Sequence, residues 1–91
     1  MDMQFNLFGE NKILCSIDPA RNRYRVYSLS LVRKPDQMFS VERKWWRLTA
    51  NKNSALYKGR KTAIYSDYSK AQMEFLSLLR QKKRKGYVEK N

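Results

Sequence analysis

Apolar residues alternate with polar ones along most of this chain and then recur at helical spacing near its end. Residues 13–17, Ile13-Leu14-Cys15-Ser16-Ile17, predict a short first strand, and Asp18-Pro19-Ala20-Arg21-Asn22 predicts a turn, because Asp and Asn accept turn geometry and Pro fixes φ. Residues 23–32 predict a second strand rich in strand formers: Tyr24, Val26, Tyr27, Leu29 and Leu31. Tyr24 and Val26 fall in one phase and Leu29 and Leu31 in the other, which predicts a β-bulge near Tyr27-Ser28. A second turn at residues 33–37 contains Pro35 and Asp36. Residues 38–48 predict a third strand with Phe39, Val41, Arg43, Trp45 and Arg47 on one face. Ser40, Glu42, Lys44, Trp46 and Leu48 take the other. Residues 49–56 read as a polar loop, and residues 57–65 as a fourth strand interrupted by Gly59.

The helix signal is the clearest. Ser69 followed by Gln72 forms an S-x-x-Q capping box. Ala71, Phe75, Leu78 and Leu79 recur with helical spacing, and Met73 and Leu76 widen the stripe. Lys82, Lys83, Arg84 and Lys85 suit the negative end of the helix dipole, and Gly86 supplies a stop. The helix is predicted over residues 70–85. The expected architecture is α+β: a single curved antiparallel β-sheet of about four strands packed on one C-terminal α-helix. Residues 1–12 read as a lead-in, with Phe5, Leu7 and Phe8 packing as a flap and Gly9-Glu10-Asn11 as a turn. Residues 13–88 form the domain and residues 89–91 a tail.

Charge changes this picture from a fold to a function. Twenty Lys and Arg stand against eight Asp and Glu, a formal net charge of +12. That excess repels itself, and a polyanion relieves it. Twelve aromatic residues argue for a folded domain over a disordered basic tail, since the chain has six Tyr, four Phe and two Trp. Both Trp sit together in Glu42-Arg43-Lys44-Trp45-Trp46-Arg47-Leu48, where indoles offer stacking surfaces and the cations offer phosphate contacts. Nucleic acid is the partner this combination favours. No stretch approaches the roughly 18 apolar residues of a membrane span, and residues 1–7 lack a basic leader. Cys15 has no second Cys to pair with and reads as a small buried residue in a reducing compartment, so a cytoplasmic location and no membrane partner are expected.

Catalysis finds little support. The chain has no His, a single Cys, dispersed acids and no Gly-rich phosphate loop, so no enzymatic activity, metal or cofactor is expected.

The ordered motifs resemble the WGR domain, a module found in poly(ADP-ribose) polymerases and as small bacterial proteins. Arg23-Tyr24-Arg25-Val26-Tyr27 is similar to its tyrosine-rich strand, and Lys44-Trp45-Trp46-Arg47-Leu48 to its Trp-Gly-Arg signature. Ser69-Lys70-Ala71-Gln72 stands where the family's helix starts, Phe75 matches its helix aromatic, and Lys83-Arg84-Lys85-Gly86-Tyr87 resembles its helix end. The signature Gly is replaced by Trp46, and Thr49 stands where a further Gly is usual. The resemblance implies nucleic-acid binding near a strand end or break, with Trp45 in the role of the signature Trp and Arg47 in that of its Arg. DNA repair is suggested by the family alone.

The expected interface therefore comprises Trp45, Arg47, Lys44, Arg43, Trp46, Lys52, Lys58 and Arg60, with DNA favoured over RNA. Arg43, Lys44 and Arg47 are read as phosphate contacts, which position without reading sequence. Trp45 is either a stacking surface or a residue packed at the sheet edge, and Trp46 either a second platform or an apolar cap. The basic side chains from residue 52 onward either extend the surface or are solvated charge, and Lys82, Lys83, Arg84 and Lys85 either meet phosphates or complement the dipole. Tyr24 and Tyr27 are read as core. A protein-interaction module using the Trp and Arg surface is the alternative, and an RNA-binding domain the third reading.

Overall fold

Strands with apolar residues on both faces belong in the middle of a sheet, and that is where the strand formers of residues 23–33 lie. The computed structural model describes residues 9–48 and 55–90, with the backbone alone for residues 55–58. Its elements are β1 (Gly9–Asp18), a single 3-10 turn (Pro19–Arg21), β2 (Arg23–Arg33), β3 (Phe39–Leu48), β4 (Ala55–Tyr65), α1 (Tyr68–Arg84) and β5 (Val88–Lys90). The strands form one sheet in the order β4-β3-β2-β1-β5, all neighbours antiparallel. Five strands stand where about four were expected. β5 is three residues long, too short for a period to show in the sequence.

Central β2 explains its own mixed phase. Tyr27, Leu29 and Leu31 face α1 and are 2%, 0% and 2% exposed, while Val26 is buried on the opposite face. Its registers with β1 and β3 run without a break, so the bulge expected near Tyr27-Ser28 is not there. The bulge lies instead between β3 and β4, where Trp45 pairs with Gly59 and Trp46 with Tyr57, leaving Lys58 as the extra residue. Gly59 does not interrupt β4, which passes straight through it. Gly9, Glu10 and Asn11, expected as a turn, begin β1 and pair with Val32, Leu31 and Ser30. The turn at residues 18–22 forms as expected, with Asn22 in the left-handed region at φ 54°. The flap of Phe5, Leu7 and Phe8 and residues 49–54 of the loop expected over 49–56 lie outside the described residues, and the last two loop positions, Ala55 and Leu56, already belong to β4.

Helix α1 begins earlier than the capping box implies. Asp67 is the N-cap, its carboxylate accepting from the Ser69 N–H at 2.9 Å. At the other end Gly86 takes φ 97°, and the Gly86 and Tyr87 N–H groups donate to the Lys83 and Lys82 carbonyls. Ala71, Phe75, Leu78 and Leu79 pack against Leu14, Tyr27, Leu29, Leu31 and Val41, and Tyr87 closes the cluster. Met73 and Leu76 do not widen the buried stripe: both point to solvent, because one sheet below the helix covers only a narrow sector of it. Phe39 and Tyr68 meet edge to face at 5.3 Å and anchor the start of the helix on β3.

Glu89 ties the last strand down. Its carboxylate pairs with Lys12 of β1 at 3.4 Å and with Lys83 of α1. The Lys83 hydrogen bond, with help from the charge on Lys12, holds the Glu89 carboxyl below the ordinary glutamate range. No helix among the described residues is long and apolar enough to cross a membrane.

Candidate nucleic-acid interface

The apolar core fills only part of the sheet's helix-facing side. Toward the C-terminal end of α1 the facing positions turn from aliphatic to aromatic and cationic. On β2 the sequence of facing residues is Leu31, Leu29, Tyr27, Arg25; on β3 it is Val41, Arg43, Trp45, Arg47. The result is a half-open cleft of about 620 Å³ lined by Arg25, Tyr27, Arg43, Trp45, Arg47, Lys82 and Tyr87, with Val26 and Trp46 also lining it.

Its charge is of one sign. Among the described residues Arg25, Arg43, Arg47 and Lys82 contribute four cations, and no carboxylate lines the cleft. Arg25 and Arg47 are directly opposite each other in the register. Like charges in that position destabilise a sheet by about 0.2–1 kcal/mol, so an anion between them is electrostatically favoured.

The floor is aromatic. Tyr27 and Trp45 stack across the β2–β3 pair, with centroids 6.3 Å apart and planes 16° off parallel. Tyr87 meets Tyr27 edge on at 6.1 Å. Trp45 is enclosed on its β4 side as well: a Cβ built at Gly59 would lie 3.0 Å from the indole Cζ2. Gly59 is thus the residue that lets the indole lie flat across β4. Trp45 is partly buried and packed against the core cluster. Its strand lies inside the sheet, between β4 and β2, so the residue is not at the sheet edge, and it also lines the cleft.

Two groups in the cleft are electrostatically unsettled. The Tyr27 hydroxyl is buried with no hydrogen-bond partner among the described residues. Burial pushes its pKa up, and the Arg43 guanidinium pulls the other way without offsetting it. Arg43 is close enough to favour the phenolate, yet its guanidinium makes no hydrogen bond of ordinary geometry to the hydroxyl. The Lys82 ammonium lies 4.3 Å from the Tyr27 ring centroid and 5.3 Å from that of Tyr87. Desolvation lowers its pKa, and the charges of Lys85, Arg43 and Arg25 lower it further.

The residues expected to form one surface are divided between two. Arg43, Trp45 and Arg47 line the cleft together. Lys44 and Arg60 pair across β3 and β4 and are exposed on the far face of the sheet. Trp46 shares that face by alternation, next to Val26 of β2, and both are also among the residues lining the cleft. The split has a simple cause, since consecutive strand residues point opposite ways. Lys52 and the side chain of Lys58 lie outside the described residues. Cys15, expected to be buried, is partly exposed and unpaired. It pairs with Val26 in the register.

Arg25, Tyr27, Lys82 and Tyr87 complete the site. Tyr27 was read as core, which it also is. Lys82 carried a signal of its own, because it follows Phe75 by seven residues and Leu78 by four and so continues the buried stripe of α1. Arg25 shares a strand phase with Tyr27, but nothing local indicates that Arg47 will face it. Among the described residues no group of His, Cys, Asp and Glu could hold a metal ion.

The family model for the WGR domain matches residues 10–91. No curated protein matches the chain, and no solved structure does.

Proposed function

The chain belongs to the WGR domain family, a domain of nucleic-acid-binding type, and from that premise we propose that the cleft binds the phosphate backbone of DNA at an end, a nick or a single-stranded stretch. One observation carries the reading: among the described residues, four cations without a carboxylate surround an aromatic floor, two of them forced into cross-strand opposition. Such contacts are largely blind to sequence. The cleft's size suits one or two nucleotide units better than the side of a duplex. That favours a strand terminus or an unpaired strand over intact helix. Arg25, Arg43, Arg47 and Lys82 serve as phosphate contacts, and the Trp45 edge with the Tyr87 ring offers apolar contact to a sugar or base. The role is binding, without catalysis of nucleic-acid chemistry.

A competition assay with intact, nicked, blunt-ended and single-stranded DNA and with RNA, at two salt concentrations, tests this. One or two phosphates neutralised in the cleft predict a log K against log salt slope of about −0.9 to −1.8, at roughly 0.9 per phosphate on duplex. Equal affinity at both salt concentrations refutes the proposal.

The far face supports a second reading. Val88, Cys15, Val26 and Trp46 form one register row across it, with Val88 65% exposed and nearby Ile17 42% exposed. A protein partner, if the domain has one, would use that face and the exposed Lys44 and Arg60 beside it. A pull-down that survives nuclease and is lost with Trp46→Ser supports it; a nuclease-sensitive one removes it.

A further inference from the structure

The lysines of this protein fall into distinct environments. Lys12 and Lys83 are both engaged by Glu89, and Lys34 by Glu42 at 3.6 Å. Each of those amines is ion-paired with a carboxylate. Lys82 has no carboxylate partner among the described residues. Its amine lies over the faces of Tyr27 and Tyr87 in a cleft whose other cations are three guanidiniums.

We propose that Lys82 is a preferred acylation site, taking the acyl group of small anionic donors of the acyl phosphate class. Three features of the geometry combine there. Arg25, Arg43 and Arg47 form an anion-attracting wall that would hold the donor's phosphate. The cleft's volume of about 620 Å³ admits a molecule of that size beside the amine. The Tyr27 ring lines the cleft beneath the Lys82 amine and holds that amine at the wall, 4.3 Å from the ring centroid. The lowered pKa of Lys82 works in the same direction, because a larger share of the amine is neutral and nucleophilic near neutral pH. The two ring faces favour the ammonium form and so work against that shift.

The chemistry closes without any further reagent. The neutral amine's lone pair forms a bond to the donor's acyl carbon. The carbon–oxygen bond to the phosphate then breaks, the phosphate leaves with that electron pair, and the nitrogen gives up one proton to solvent. The product is a neutral amide at Lys82 and one inorganic phosphate. Loss of that charge removes one phosphate contact from the cleft. This consequence, unlike the acylation itself, rests on the nucleic-acid reading above. Acylation would then act as a brake on binding, and bound nucleic acid would shield Lys82 from acylation.

The test is site-resolved mass spectrometry of the full chain exposed briefly to acetyl phosphate. Lys82 should be acetylated several-fold faster than Lys83 and Lys85, its neighbours on the same helix end. Inorganic phosphate should suppress that lead, Arg43→Ala should reduce it, and an uncharged active ester should show a smaller one. Equal rates at Lys82, Lys83 and Lys85 overturn the proposal, as does a lead that excess phosphate leaves untouched. Binding by Lys82→Gln separates the two readings. Preferential labelling with DNA affinity unchanged in Lys82→Gln keeps the acylation site and refutes the nucleic-acid role of the cleft. Uniform labelling with weakened DNA binding in Lys82→Gln does the reverse.

Discussion

Removing the Tyr27 hydroxyl should strengthen the fold and weaken the function in a single step. The ring of Tyr27 is 2% exposed, stacked on Trp45 and edge-on to Tyr87. Phe retains all of those contacts. What Tyr27→Phe deletes is a buried oxygen with no partner among the described residues. An unsatisfied buried polar group costs about 1–3 kcal/mol. The hydroxyl has the Arg43 guanidinium close by, which offsets part of that cost, so the lower end applies and a gain of about 1 kcal/mol is expected. For a domain of this length, that raises Tm by about 4–8 °C. Binding should move the other way. A hydrogen bond to a charged oxygen contributes about 1.5–3 kcal/mol, so losing one weakens affinity roughly ten- to a hundredfold. Circular dichroism melts and fluorescence anisotropy with a short labelled oligonucleotide measure the two effects on one preparation. A less stable variant refutes the claim that the hydroxyl is unsatisfied. A more stable variant with unchanged affinity refutes its role in the cleft.

Other outcomes follow from the same geometry. Arg25→Ala and Arg47→Ala should each reduce the salt slope by about 0.9, while Lys44→Ala and Arg60→Ala, on the far face, should leave it nearly unchanged; equal effects from both pairs would dissolve the distinction between the faces. Gly59→Ala should destabilise the protein, because crowding the indole costs about 1–3 kcal/mol and alanine returns only about 0.5–1 kcal/mol in a strand. In a Trp46→Phe background the Trp45 emission should shift as well, and a stabilised protein with unaltered emission would show that the ring has room. Affinity should start to fall at a lower pH than an ordinary lysine would dictate, as Lys82 loses its proton early while Tyr27 stays neutral. Arg25, Arg43 and Lys85 keep their pressure on that amine, and Lys82→Arg should restore a flat profile. The free fold should gain stability over the same interval, since the unfolded chain still holds the lysine proton there and the folded one has released it.

Local signals located the elements better than they located the site. The alternation in β3 put Arg43, Trp45 and Arg47 on one face, and the structure keeps them together. The same alternation already separated Lys44 and Trp46 from them, and grouping all five by proximity in sequence overrode it. Arg25 and Tyr87 could not be read from their neighbours, because they reach the cleft through the β2–β3 register and the chain reversal at Gly86. Gly59 looked like an interruption because a missing side chain is ambiguous until the residue opposite is known. That residue is Trp45. The cap at Asp67 was hidden by a serviceable box two residues later, and both fit the same rule for satisfying the first N–H groups.

The double grip on Glu89 gives an acidic residue an unexpected part in the anion recognition proposed for the cleft. Stripping a negative charge from so basic a molecule would ordinarily tighten its hold on a polyanion. Yet Glu89 fastens the short terminal strand to both β1 and the end of α1, two residues beyond the ring that walls one side of the cleft. Glu89→Gln would slacken that seam and let Tyr87 drift, so the variant would bind less well despite its greater charge. Charge counting alone would assign this protein's affinity the wrong sign of response at the position that keeps the binding wall upright.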